Sequence, residues 1–351
     1  MITLIVCAAS ALAFSATALA RESAPTVPSP NEIVAAAPQS DWVRIPADEL
    51  LVMDLAPDAE GNPRRVVIQL MPPPFSKGWV HNIKLLARSG WFDNISINRV
   101  QDNYVVQWGD PNYDNPEAEG ETKKLPEGMK VMGEDEYVVR NLIPLSNAIS
   151  AAFARNKAAN ANDGPKEISV YLGDAYQVTP FHFEGWPITL GFSNSIADEA
   201  APVHCYGMVG VGRNLSPDTG SGAELYTVIG HAPRHLDRNI ALVGRVVEGM
   251  EHLSSLPRGK GELGFYADFE KDKRTPILTV RMVSDLPASS SEAVGQQGLP
   301  QPAFEYLSTE SESFARYAEA RANRRDAFFI HPAGGADICN IPVPVRRVPS
   351  E

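Results

Sequence analysis

The sequence predicts a mainly β protein, an antiparallel barrel or sandwich carrying a few capping helices. Short strand-like runs broken by glycine and turn residues recur along it, among them "ELLVMDL", "RRVVIQL", "ELYTVIG" and "IALVGRVVEGM". Helical periodicity is confined to a few stretches, and no strand–helix alternation marks a parallel sheet. A hydrophobic share of 44% over 351 residues is enough for a sizeable core, in one large domain or two smaller ones. No internal repeat is visible.

The first twenty residues, "MITLIVCAASALAFSATALA", are uncharged and end in Ala18-Leu19-Ala20. An apolar run before a small-x-small site predicts a signal peptide over 1–20, and so an exported, periplasmic protein. The usual positive start is missing, and an uncleaved anchor is the alternative. The run is short and Ala-rich for a membrane span, so none is expected after cleavage. Residues 21–41, beginning "RESAPTVPSP", are rich in Pro, Ser and Ala and read as a flexible leader.

A barrel domain is expected over 42–286. "ELLVMDL" and "RRVVIQL" form a hairpin across "APDAEGNP". "SKGWVHNIKLLARSG" reads as a helix with Val80, Ile83, Leu86 and Ala87 on one face and Gly90 at its stop. A strand pair follows in "ISINRVQDNYVVQWGDP". There Arg99 follows Ile95 and Ile97 at two-residue spacing, which places a guanidinium on the face of two isoleucines. Charged groups are rarely buried without a partner, so Arg99 calls for a role.

Residues 112–204 are less regular and read as an insertion, with a solvated acidic loop at "GEDEY" and a helix over "LSNAISAAFARNKAANA". "TPILTVRMVSDL" reads as the closing strand. Residues 287–351 hold a linker and a C-terminal helical extension. Its helix starts near 310, with "TESE" as a capping box and Phe314, Tyr317 and Ala318 on one face.

A net charge of -12 argues against nucleic acid, whose phosphates want a basic face. His231 and His235 have the spacing of a helical metal pair, but Pro233 between them breaks such a helix, so no metal is expected. "GMVGVG" lacks the surrounding strand–helix–strand unit of a nucleotide loop, which leaves turn glycines. Of three cysteines, Cys7 falls in the signal stretch. Cys205 and Cys339 remain, either as a disulfide suited to an oxidising compartment or as two buried thiols.

In order, the hairpin, the helix, "INRVQDNYVVQWGDP", "GMVGVGRN", "GAELYTVIG" and "HLDRNIALVGRVVEGME" resemble the cyclophilin family of peptidyl-prolyl cis-trans isomerases. The resemblance covers 62–112 and 203–256, about a third of the chain, and is most specific in its first and last blocks. It implies a closed, eight-stranded antiparallel barrel capped by helices, and no cofactor. It implies that Arg99 is the catalytic arginine, held by Gln107. Tyr104, Val105, Tyr226 and Leu236 would line the proline pocket. Gly212, Arg213 and Asn214 would pair with the substrate backbone, and Glu224 would contact substrate.

The chemistry suits those residues. Rotation about an X-Pro amide is opposed by a resonance barrier of about 18–20 kcal/mol. In the twisted state the proline nitrogen becomes a real acceptor, and a fixed donor there binds it better than either planar state. The chain departs from the family at Asn98, Glu224 and Ile240, where the family has histidine, glutamine and histidine. His235 stands near where some members carry tryptophan. Two expectations follow: an isomerase acting on unfolded or partly folded proline-containing polypeptides, or a catalytically weak binding module or chaperone for envelope proteins. A monomer is expected in either case.

Overall fold

In a computed structural model, residues 27–110, 112, 120–161, 179–287 and 301–349 are described. The expected signal peptide lies outside them. The strands are β1 (Trp42–Arg44), β2 (Leu50–Leu55), β3 (Arg64–Leu70), β4 (Ser96–Val100), β5 (Val105–Gly109), β6 (Thr179–Phe183) and β7 (Trp186–Ser193). They continue with β8 (Ile196–Pro202), β9 (Met208–Val211), β10 (Leu225–Val228), β11 (Leu242–Glu248), β12 (Ile277–Met282), β13 (Phe304–Leu307) and β14 (Val345–Arg347). The α-helices are α1 (Pro30–Ala35), α2 (Lys77–Arg88), α3 (Ser146–Ala161), α4 (Glu251–Ser254) and α5 (Glu312–Ala322).

The main sheet has eight strands in the order β12-β2-β3-β11-β9-β10-β5-β4, all neighbours antiparallel. Its two edges meet. Ile97 N–H donates to Thr275 O at 2.9 Å and Ile277 N–H to Ile95 O at 2.8 Å, which nearly closes the barrel. Closure removes the exposed edges an open sheet would present. The expected hairpin is β2–β3, with Leu50 opposite Gln69. The α2 helix lays Val80, Ile83, Leu86 and Ala87 on the core, with Trp79 added.

Three regions differ from the sequence reading. Expected as irregular, the insertion holds an antiparallel sheet, β6-β7-β8, whose Phe181, Trp186, Ile188 and Leu190 join the barrel core. The described part of the leader is not loose. Pro30 opens α1, the Ser29 and Glu32 side chains close a capping box, and Ile33 packs with Trp42, Phe314 and Tyr317 of the C-terminal segment.

That segment is more than helical: β13 pairs with β1 and β14 in a small three-stranded sheet. Its helix has the predicted buried face, but Ser311 is the N-cap, its hydroxyl accepting from Phe314 N–H at 3.1 Å. Thr309 instead accepts from Gly185 N–H at 3.1 Å, tying the segment to the insertion. Cys205 and Cys339 form a disulfide, which decides between the two readings of that pair. Among the described residues no helix is long and apolar enough to cross a membrane.

Candidate active site

The site is built on one cross-strand row. Arg99 of β4 lies opposite Gln107 of β5, Gln107 opposite Tyr226 of β10, and Tyr226 opposite Gly210 of β9. Directly opposed residues share a face, so the row points to one side of the barrel. The two-residue spacing suggested the other face. A β-bulge between Ile97 and Arg99 reverses it: Ile97 faces Trp108 in the core, and Arg99 faces Gln107 outside it. The extra residue is Asn98, fully buried, whose amide makes no hydrogen bond among the described residues.

The row floors an open groove of about 760 Å³. Arg99, Tyr104, Val105, Gln107, Gly212, Arg213, Asn214, Tyr226 and Leu236 all line it, so nine of the ten proposed site residues converge. Val105, Tyr226, Val228 and Leu236 form an apolar cluster separate from the barrel core, with Tyr104 and Ile240 against it.

Glu224 is placed otherwise. Only 1% exposed, its carboxylate lies against Gly109, where a Cβ would come within 2.0 Å of Oε1. The absent side chain at Gly109 admits the carboxylate, and Glu224 does not line the groove. Arg213 reaches the groove, yet its Nε and Nη2 donate to Asn239 O at 3.1 and 2.9 Å. That makes it a brace of the rim.

Arg99 is held by neutral acceptors from several elements. Nη1 donates to Gln107 Oε1 at 3.1 Å, Nη2 to Gln101 Oε1, and Nε to Leu263 O at 2.8 Å. Its Cζ lies 5.7 Å from the Tyr104 ring centre and 5.3 Å from that of Phe265. Leu263 occupies the left-handed region, φ 52°, which is unfavourable for a branched side chain and aims its carbonyl at Arg99. Hydrogen bonds from Gly259 N–H to Val100 O and Tyr266 N–H to Asn98 O seat that loop on β4. Residues 259–266 carry no motif and come from far along the chain. Sequence reasoning had no signal for them.

A second unforeseen group lies beneath the pocket. Tyr226 Oη is 3.1 Å from His204 Nε2, and His204 Nδ1 is 2.9 Å from Asp237 Oδ1. Arg234 Nε donates to Asp237 Oδ2 at 2.6 Å. Burial holds the Tyr226 phenol well above its usual range, and Tyr104 is raised for the same reason. Both hydroxyls are therefore protonated at neutral pH. "GMVGVG" also gains a role: a Cβ at Gly210 would sit 2.3 Å from Tyr226 Oη, so this strand glycine makes room for the phenol. His235, near the family's tryptophan position, stacks on Tyr104 with ring centres 6.3 Å apart. Among the described residues no cluster of histidine, cysteine or carboxylate side chains could hold a metal ion.

A nearly closed eight-stranded antiparallel barrel carries an arginine–glutamine pair beside an apolar cluster in one groove, the arrangement that the sequence resemblance implied. The family comparison agrees. The cyclophilin type peptidyl-prolyl cis-trans isomerase/CLD family matches residues 63–282, more than half of the chain, and the protein belongs to that family as a peptidyl-prolyl cis-trans isomerase. It is similar in structure to cyclophilin AquaCyp293 from Hirschia baltica, with TM-score 0.57 and 20% identity over 89% of this chain and 97% of that one. A cyclophilin type isomerase from Cryptosporidium parvum aligns at TM-score 0.33 and 10% identity, over 66% of this chain and 98% of its own. No curated protein matches the chain in sequence.

Proposed function

We propose that this isomerase acts on X-Pro bonds of unfolded or partly folded proteins in the periplasm, with Arg99 as the catalytic residue. The observation that supports this most strongly is the guanidinium oriented by Gln107 Oε1 and Leu263 O in a groove that also holds the apolar cluster of Val105, Tyr226 and Leu236. The amide and carbonyl acceptors of Gln107 and Leu263 fix the orientation of the forked guanidinium. The proline ring rests on Tyr104, Val105, Tyr226 and Leu236, and Arg99 donates to the nitrogen as the amide twists. One charge-assisted hydrogen bond contributes about 1.5–3 kcal/mol. At about 1.4 kcal/mol per tenfold, that is one to two decades of rate, with positioning and desolvation supplying the rest.

The uncharged N-terminal stretch and the cysteine pair support export, since disulfides persist in oxidising compartments. Two measurements test the reading. The isolated protein should accelerate cis–trans exchange of a short X-Pro peptide, and a reporter fused to residues 1–41 should be found in the periplasm. Binding of unfolded protein with no acceleration would mark a binding module instead, and a cytoplasmic reporter would overturn the compartment.

A further inference from the structure

Tyr226 is buried, 4% exposed, and a buried hydroxyl must find a partner. It finds His204, which is 1% exposed. The direction of the hydrogen bonds follows from Asp237. Its carboxylate oxygen can only accept, and it takes both the backbone N–H of His204 at 2.9 Å and the ring Nδ1 at 2.9 Å. In the neutral ring, a proton on Nδ1 leaves Nε2 with a lone pair that accepts from Tyr226 Oη. Arg234, also buried, secures the far carboxylate oxygen.

The chain of contacts reaches beyond the barrel. Arg234 Nη1 lies 3.7 Å from Asp337 Oδ2, and the Asp337 carboxylate accepts from Cys339 N–H at 2.8 Å. His204 and Asp337 therefore flank the two ends of the Cys205–Cys339 disulfide. Because His204 does not line the groove, it acts on substrate only through the Tyr226 ring. That ring packs with Val105 and Leu236 in the apolar cluster of the groove.

Resting on the reading of the groove as a prolyl site, we propose that His204, fixed by Asp237, is a positioning residue that holds the Tyr226 ring as the wall of the proline pocket. A wall contacts the proline in both planar and twisted states, so loosening it weakens binding uniformly. KM then rises while kcat stays unchanged.

The test is a cycle of His204→Ala in two backgrounds, wild type and Tyr226→Phe, with KM and kcat measured on an X-Pro peptide. In the wild-type background KM is expected to rise about tenfold at unchanged kcat. In the Tyr226→Phe background, where no hydroxyl needs a partner, the same change should move KM less than twofold, because coupled residues are non-additive. His204→Gln, which keeps a hydrogen-bonding group, should return KM to within about threefold and guards against a variant that fails to fold. A lowered melting temperature with KM unchanged, or an equal rise in both backgrounds, overturns the positioning role alone. A wild type that neither binds nor isomerises the peptide overturns the proposed function, and the inference with it.

Discussion

Two arginines face glutamines directly across strands of the same barrel: Arg99 opposite Gln107, and Arg245 opposite Gln69. Arg245 donates Nε and Nη2 to Gln69 Oε1 at 3.0 and 2.7 Å, and Nη1 to Gly185 O at 2.7 Å. The Trp186 ring lies over it, 4.5 Å from Cζ. Gly185 and Trp186 belong to the inserted β6–β7 hairpin, so this arginine fastens the insertion to the barrel. Burial lowers its pKa to about 10.

Arg99 has the same cross-strand partner type but is covered by a loop that leaves a groove beside it. The lesson is that an arginine–glutamine pair is neither structural nor catalytic by its residues. What closes over it decides. A guanidinium favours a transition state only where the reacting amide can approach.

The contrast can be broken experimentally. Arg245→Ala should show the largest effect on stability, a loss of about 2–4 kcal/mol, because it leaves a cavity and strands the Gln69 and Gly185 oxygens. Denaturant unfolding checks this, and kcat/KM per folded molecule should stay unchanged. The pH dependence has a definite sign. The folded pKa, about 10, lies below the ordinary value of 12.5, so the charged form is penalised in the fold. From pH 10 upward the unfolded chain binds more protons, and wild type should gain stability relative to Arg245→Ala. A catalytic defect in that variant would dissolve the distinction between the two arginines.

A smaller effect sharpens the account of the bulge. Asn98 buries an amide without a hydrogen bond among the described residues, which costs roughly 1–3 kcal/mol. Asn98→Leu, similar in volume, should raise stability by about 1 kcal/mol or more in a thermal melt, without lowering activity. A loss of stability would show that the amide is satisfied and the bulge depends on it.

Much of this was legible in the residues. The hairpin, the α2 face, the strand pair and the closing strand follow from short-range periodicity and turn residues, and the groove-lining set follows from the resemblance to the cyclophilin family. The misses share one cause: they are set by partners distant in sequence. Two-residue spacing put Arg99 on the core face because a bulge has no local signature, and Asn98 is an ordinary strand residue until its register is known. Composition suggested a loose leader, but Ile33 finds its cover near Phe314 and Tyr317. Glu224 read as a groove residue until the bare Cα of Gly109 gave it an inward site. His204 carried no signal, since its meaning depends on Tyr226 and Asp237.

The measurement that bears most directly on Arg99 is the separation of kcat from KM in Arg99→Ala, followed by exchange of an X-Pro peptide at saturating and limiting concentrations. A donor that acts only on the twisted amide should cost about 10–100-fold in kcat, with KM within about twofold of wild type. A raised KM with kcat intact would contradict this, making Arg99 a binding residue like the wall beside it.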